Sequence, residues 1–474
     1  MTAATFSKFL KAVLLSFILI FSSGTEKVFA QKNIVNDITQ LNPIPVKGII
    51  EPTSTAQIIA AVKQHEGTIS IGGGRFSMGG QTATEDALQI DMRKFNQVVH
   101  FSKSDKEITV QAGMRWRELI QFIDQHDLSV KIMQTYANFT VGGSLSVNVH
   151  GRYIGQGPII LSVKEFKIVL ANGDSLTASA TQNQEVFYAA IGGYGGIGII
   201  TEVTLSLTDN CRVQRVDTVM KINVYAQFFA ASIKQNPNVV FHNADIYPKK
   251  YNKVRAVSYV KTEQALTVKE RLKPVSKNSL LNRLAIRFVA GSAFGKWIRK
   301  VVVDPINYSG TVVESRNYEA TYDVAELEPK SREHSTFVLQ EYFIPEDRLD
   351  AFYPKMAEIL KTHKVNVMNI SIRHAKQDPG SIMAWAKTNV FAFVIYYEQG
   401  TTEADKAKVK MWTQKLMDTS INEGGTYYLP YQILATPAQF AKAYPNAETF
   451  FRLKKKYDPS YKFRNKLFDA YYKN

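Results

Sequence analysis

Alternation of apolar and polar residues dominates the first half of the chain, and helical spacing breaks it only briefly. Thr68-Ile69-Ser70-Ile71 alternates as a short strand, and Ala87 to Met92, Val98 to Phe101 and Glu107 to Ala112 read as further short strands. Ser162 to Leu170 leads through Asn172-Gly173 into Ser175-Leu176-Thr177, the pattern of a hairpin. Trp116, Leu119, Ile120 and Ile123 recur at i, i+3, i+4 and i+7, which predicts a helix over Trp116 to His126. A helix starts near Gln182, and the alternating run Ile199 to Leu207 closes this unit near Asn210. From there to about residue 415, strands are predicted at Ser335 to Ile344, Asn366 to Ile372 and Val390 to Tyr397, with helices at Arg348 to Lys361 and Glu403 to Asn422. That order is the one found in a split βαβ sheet with helices on one face. The fold class expected is α+β, and no internal repeat or low-complexity linker interrupts it.

At 474 residues, two to four structural units are expected. The 45% apolar and 21% charged composition is that of a globular chain. The first thirty residues differ: Lys8 and Lys11 precede an apolar run from Ala12 to Phe21, and a polar stretch ends at Val28-Phe29-Ala30. This reads as a secretory signal cleaved after Ala30, so the mature protein is expected to be periplasmic or secreted. The lone Cys211 excludes an intramolecular disulfide and a cysteine metal cluster, and reads as an inert core residue. The net charge is +16, and fourteen Lys/Arg stand against two acids between Lys249 and Lys300. Within that segment, Leu280 to Val303 has the composition of an amphipathic basic helix, which raises peripheral contact with an anionic membrane as an expectation. Export and the absence of a recognisable binding motif argue against nucleic acid as a partner.

Glycine is clustered: five fall between Ile71 and Gly80 and five more between Gly192 and Gly198, with none from Ile199 to Ala290. Such clusters mark backbone that takes positive φ or closely approaches another group, often a phosphate. Gly72-Gly73-Gly74 is followed by Arg75-Phe76-Ser77-Met78-Gly79-Gly80, too rich in glycine to open the helix that a Rossmann fingerprint requires. What remains is a loop whose amides can wrap a pyrophosphate, with Arg75 or Ser77 as extra donors. Gly142, Gly143, Ser144 and Ser146 offer a second set of small residues, after which Asn148, His150 and Arg152 alternate onto one face of an extended segment. Arg152 beside the His150 imidazole would make a positive pocket.

Six segments in succession carry a family resemblance: IGGGRFSMGGQ, IDMRKFNQVVHF, ITVQAGMRWRELIQFIDQHDLSV, TVGGSLSVNVHG, VKEFKIVLANGDSL and FYAAIGGYGGIGIITEVTLSL. Over roughly residues 45 to 208, their order and spacing resemble the FAD-binding (PCMH-type) domain of the vanillyl-alcohol oxidase superfamily. The stretch YYLPYQILATPAQFAKAYPNAETFFRLKKKYDPSYKF is similar to the end of the aldonolactone oxidase and decaprenylphosphoryl-ribose oxidase-like group. The resemblance implies an FAD domain of two subdomains over 31–210 and a substrate domain with an antiparallel sheet over 211–415. It also implies a C-terminal segment, 416–474, that returns to the FAD domain.

The resemblance implies site residues as well. Gly72, Gly73, Gly74, Arg75, Phe76, Ser77, Gly79 and Gly80 would cradle the pyrophosphate. Thr140, Gly142, Gly143, Ser146, Val147, Asn148, Val149, His150 and Arg152 would lie along the flavin, with Ile200 near the nucleotide and Tyr428 against the flavin. Arg75 and Phe76 stand where many relatives carry a histidine that bonds FAD covalently, so non-covalent FAD is expected. Tyr431 stands where part of the group has an active-site lysine. The activity implied is oxidation of a CH–OH group on a sugar, sugar-acid lactone, polyol or lipid-linked sugar, with hydride passing to the flavin and electrons then to oxygen or a quinone. Tyr431, whose phenol would need its pKa of about 10 lowered, and His150 are the acid/base candidates. Gln340, Glu341 and Arg373 lie on strand-like segments that face the substrate in relatives. The competing reading is a flavin- or carbohydrate-binding protein that keeps the fold without the chemistry.

Overall fold

In the computed structural model the described residues are 33–275, 303–323 and 331–472, together with Ile298. The expected signal segment and most of the basic stretch from Leu280 to Val303 lie outside them. Among the described residues no helix is long and apolar enough to cross a membrane.

The alternating segments form the strands expected of them, and the α+β class holds. Gly48–Ile50, Leu88–Asp91 and Ile69–Gly72 make a three-stranded parallel sheet in that order. The helix Thr55–Gln64 lies between its first and last strands in sequence, capped by Ser54, whose side chain accepts from the Gln57 amide. Ser175–Ser179, Val163–Val169, Ile199–Asp209, Glu107–Gln111 and Val98–Ser102 form an antiparallel sheet, with Leu128–Val130 also paired to Ile199–Asp209. The Asn172-Gly173 turn joins its first two strands with Gly173 at φ 84°. The helix Trp116–Asp124 buries Trp116, Leu119, Ile120 and Ile123, the four residues whose spacing predicts it.

Past Asn210 the chain enters an eight-stranded antiparallel sheet. In spatial order its strands are Val312–Ser315, Arg212–Lys221, Lys253–Lys261, Val239–Ile246, Val367–Ala375, Val390–Gly400, Ser335–Pro345 and Thr426–Tyr427. Helices Leu349–Thr362 and Glu403–Asn422 cover one face: Phe352 packs on Phe393 with centroids 5.1 Å apart, and Trp412 on Tyr397 at 4.9 Å. The opposite face of the sheet is left to line a cavity. A boundary at residue 415 cuts the helix Glu403–Asn422, which runs unbroken; the chain leaves this layer only after Thr426–Tyr427.

The C-terminal segment then packs on the glycine-rich strands. Phe463 bridges Ile69, the Ile69 amide donates to Lys462 O (2.8 Å), and the Arg464 amide donates to Ile69 O (3.0 Å). The second glycine cluster is where this contact needs room: a Cβ at Gly196 would sit 2.5 Å from the Phe468 ring, and one at Gly193 would sit 2.1 Å from Ala189 O. Gly193 and Gly196 therefore serve packing rather than anion binding.

Candidate active site

The strand Ile69–Gly72 delivers the first glycine loop to a cavity of about 750 Å³. Gly73, Gly74, Arg75, Phe76 and Ser77 line it on one side, and Glu341, Arg373, Tyr428 and Tyr431 on the other. A smaller cavity of about 70 Å³ shares Gly73, Ser77, Thr140, Gly143 and Val147 with it and continues between Gly142, Ser146, Gly195, Gly198 and Ile200. Bare backbone borders this junction because side chains are excluded there: a Cβ on Gly73 would meet Thr140 Oγ1 at 2.3 Å. Phe76 stacks on Phe139 with centroids 4.3 Å apart and fixes the outer wall. Arg75 takes φ 60° and gives Nη2 to Asp91 (2.9 Å), while its buried Nε has no partner. Gly79 and Gly80 lie beyond the cavity wall and pack against Tyr431 O and Lys466 respectively.

The second small-residue stretch opens as a helix, and the segment Asn148 to Arg152, expected to be extended, leaves it through a turn at Val147 and Asn148. Val141–Ser146 forms a short helix capped by Thr140, which accepts from the Gly143 amide at 3.3 Å. Gly142 allows the helix to lie directly on Ala112, whose Cβ would be 2.7 Å from a Gly142 Cβ and whose carbonyl accepts the Gly142 amide. Asn148 follows at φ 50° and is fully buried. The period-2 register expected of Asn148, His150 and Arg152 is therefore lost, and their side chains part.

Asn148 turns from the cavity and donates Nδ2 to Asp378 (2.7 Å) and Ser381 (3.2 Å), which corrects its expected place beside the flavin. Arg152 is likewise not on the cavity. Its guanidinium pairs with buried Glu319 at 2.7 Å, so it does not make a positive pocket with His150. Burial opposes the charge on both partners, yet each charge holds the other ionised, raising the arginine and lowering the carboxyl. Glu314 shares a hydrogen bond with Glu319, and burial together with that neighbouring charge pushes its pKa up to about 8. A carboxyl raised in the folded state binds protons that the unfolded chain has released, so this group costs stability as pH climbs from about 4.5 to about 8. The thermal midpoint of the Glu314→Gln variant should therefore fall less from pH 5 to pH 8 than that of the wild type. Parallel curves would show that Glu314 is ionised throughout.

Strand alternation decides among the candidates of the substrate domain. Leu339 and Glu341 face the cavity from Ser335–Pro345, whereas Gln340 points to the helix-covered face near Tyr397. Gln340 is thus removed from the site, since adjacent residues of one strand cannot share a face. From Val367–Ala375, Asn369, Ser371 and Arg373 all line the cavity, and Arg373 Nε is buried with no partner.

Glu341 is the centre of the site. Buried to 2% exposure, it takes His150 Nε2 on Oε1 at 2.6 Å and the Tyr431 hydroxyl on Oε2 at 3.1 Å. Burial pushes its carboxyl up, but His150, Arg373 and Tyr431 together outweigh this and hold it below the ordinary carboxylate range. Tyr431 moves the other way: burial and the Glu341 charge push its phenol well above 10. It stays protonated, which excludes the base role expected of it and makes it a donor to Glu341. Tyr428 donates its hydroxyl to Val147 O at 2.8 Å and its amide to Glu341 O at 3.0 Å, joining the end of the helix Val141–Ser146 to the carboxylate's strand. Cys211 is half-buried, with its thiol pushed up by burial, and lines neither cavity.

Residues 46–179 match the family model described as FAD binding domain. The match bears out the FAD-binding domain expected from the resemblance to the vanillyl-alcohol oxidase superfamily, and FAD is its cofactor. Among similar proteins, cytokinin dehydrogenase 2 of Arabidopsis thaliana is 30% identical over 195 residues, covering 40% of this chain and 38% of that protein. L-gulonolactone oxidase of Bos taurus is 26% identical over 209 residues, covering 41% and 47%. A putative D-arabinono-1,4-lactone oxidase of Neurospora crassa is 33% identical over 115 residues, covering 24% and 21%. The chain spans less than half the length of these relatives. The residues present fit FAD: two adjoining cavities share the side-chain-free Gly73 and Gly143, and Arg75, whose buried Nε has no partner, lines the larger of them.

Proposed function

We propose that the protein is an FAD-dependent oxidoreductase that oxidises a CH–OH group of a sugar, sugar-acid lactone or polyol. The observation that carries this reading is the His150–Glu341–Tyr431 cluster in the cavity that the FAD-binding domain opens into. Bound FAD supplies a two-electron acceptor for the hydride. Gly73, Gly74, Ser77, Thr140 and Gly143 would hold it, with Val147, Val149 and Tyr428 along the flavin and Ile200 near the nucleotide.

The remaining chemistry belongs to the side chains. The substrate hydroxyl donates to Glu341 Oε2 beside Tyr431, and its proton passes to that oxygen as hydride leaves the adjacent carbon. A depressed carboxyl is a weak base, but it is fully ionised, and an alcohol that is losing hydride becomes strongly acidic. His150 keeps the carboxylate aimed into the cavity. Arg373 balances its charge. The supporting test is anaerobic mixing of the FAD-loaded protein with aldonolactones, aldoses and polyols: at least one should bleach the flavin bands. Failure of all three classes would leave a binding protein.

A further inference from the structure

The cavity does not end at Glu341. It continues along the open face of the eight-stranded sheet past Ser371 and Tyr396 to Tyr259 and Arg215. Tyr259 stands on Lys253–Lys261, four strands from Glu341 on Ser335–Pro345, and Arg215 stands on Arg212–Lys221, five strands away. At about 4.8 Å per strand, the lobe extends roughly 19 to 24 Å from the carboxylate. One sugar ring is little longer than a single strand spacing, so a lone aldonolactone would leave most of this surface uncovered.

The lobe sets the polar groups Ser371 and Arg215 among the tyrosines and the apolar Met368, Val394 and Val303. Arg215 donates Nη2 to Asn307 O at 2.9 Å and lies 5.0 Å over the Tyr308 ring, so its guanidinium is held before any ligand arrives. Tyr396 is half-buried and offers a flat apolar face with a hydroxyl edge, the surface that a sugar ring covers well, and Tyr259, 6% exposed, borders the lobe with the small part of its surface that is open. An alkyl or prenyl tail would instead desolvate Arg215 and Ser371 without hydrogen-bonding them.

We infer that the substrate is a saccharide of two or more linked sugar units, with its oxidised terminal unit at Glu341 and the following units laid across Tyr396 and past the border formed by Tyr259 toward Arg215. The inference rests on the oxidoreductase reading above and specifies its substrate class. It is tested by binding of the FAD-loaded protein to an array of mono-, di- and trisaccharides, with farnesyl phosphate as the lipid probe. At least one di- or trisaccharide should bind ten-fold or more tightly than its own monosaccharide, and Arg215→Gln and Tyr259→Ala should each erase most of that advantage while the flavin spectrum shows the protein folded. The inference is overturned if no saccharide outbinds its monosaccharide, if the advantage survives both substitutions, or if farnesyl phosphate binds better than every saccharide. Tight saccharide binding without anaerobic bleaching would keep the subsite and remove the oxidoreductase reading. Bleaching by monosaccharides alone would do the reverse.

Discussion

Glu341→Gln should lower the rate of flavin reduction by about 10²–10⁴-fold, the range expected when a general base is removed, while leaving FAD bound. The amide is nearly isosteric: its oxygen can still accept from His150 Nε2, and its NH₂ can meet the Tyr431 hydroxyl, so the cluster keeps its shape and loses only its ability to take a proton. Stopped-flow reduction under anaerobic conditions reads the rate, and the visible spectrum reads the cofactor. A Glu341→Gln variant that reduces its flavin at the wild-type rate would move the base elsewhere. Tyr431→Phe gives an independent check through pH. Tyr431 donates to Glu341 and helps hold its carboxyl low, so removing the hydroxyl raises that pKa. The active form is the carboxylate, whose activity is lost as pH falls through its pKa. The acid limb of the reduction rate should therefore shift to higher pH in Tyr431→Phe, with the alkaline side unmoved.

The second large effect is expected far from the cavity, at Lys454. This side chain is fully buried, and its ammonium donates to Gly196 O (2.9 Å), Phe463 O (2.7 Å) and Asp458 Oδ2 (2.9 Å). Burial pulls its pKa down, and the Asp458 partner counters this. Asp458 in turn accepts the amides of Lys462 and Phe463, fixing the turn that brings Phe463 to Ile69. Lys454→Met keeps the bulk but strands a buried carboxylate and two carbonyls, a change that costs about 3–5 kcal/mol in comparable broken pairs. Urea unfolding should register that loss. Because Ile69 begins the strand that feeds the first glycine loop, FAD affinity should fall in the same variant. An unchanged midpoint would mean that the C-terminal segment contributes little to holding that strand.

Lys454 also shows what the sequence conceals and what it does not. It sits in a run of three lysines that reads as a solvated face, yet it lies seven residues after Ala447 and four after Phe450, on the stripe that the helix Ala447–Tyr457 buries. Helical spacing was the available signal, and residue type masked it. Where pattern and burial agree, the elements were legible: Glu403–Asn422 runs as its spacing predicts, and Ser335–Pro345 as its alternation does.

The misplacements of Asn148 and Arg152 share a cause. Val141–Ser146 contains two glycines and two serines, all weak helix formers, and becomes helical because Thr140 caps it and Ala112 receives it. That local helix rotates Asn148 toward Asp378, 230 residues away, and leaves Arg152 to Glu319, 167 residues away. Partners so distant leave no periodic trace. Gln340 was resolvable in principle, since one strand cannot aim adjacent side chains into one cavity, and the choice between it and Glu341 needed only the sheet's open face. Glu341, His150 and Tyr431 were each visible as candidates, but the hydrogen bonds that join them across three distant segments were not.

The most direct test of the account is the visible absorption spectrum of the purified protein, recorded before and after acid precipitation. A flavin spectrum whose colour passes entirely to the supernatant is the predicted result, because Arg75 and Phe76 occupy the loop and the cavity-lining His150 is engaged by Glu341. A colourless protein that added FAD does not restore would contradict the account at its centre, and colour retained in the precipitate would contradict the non-covalent cradle.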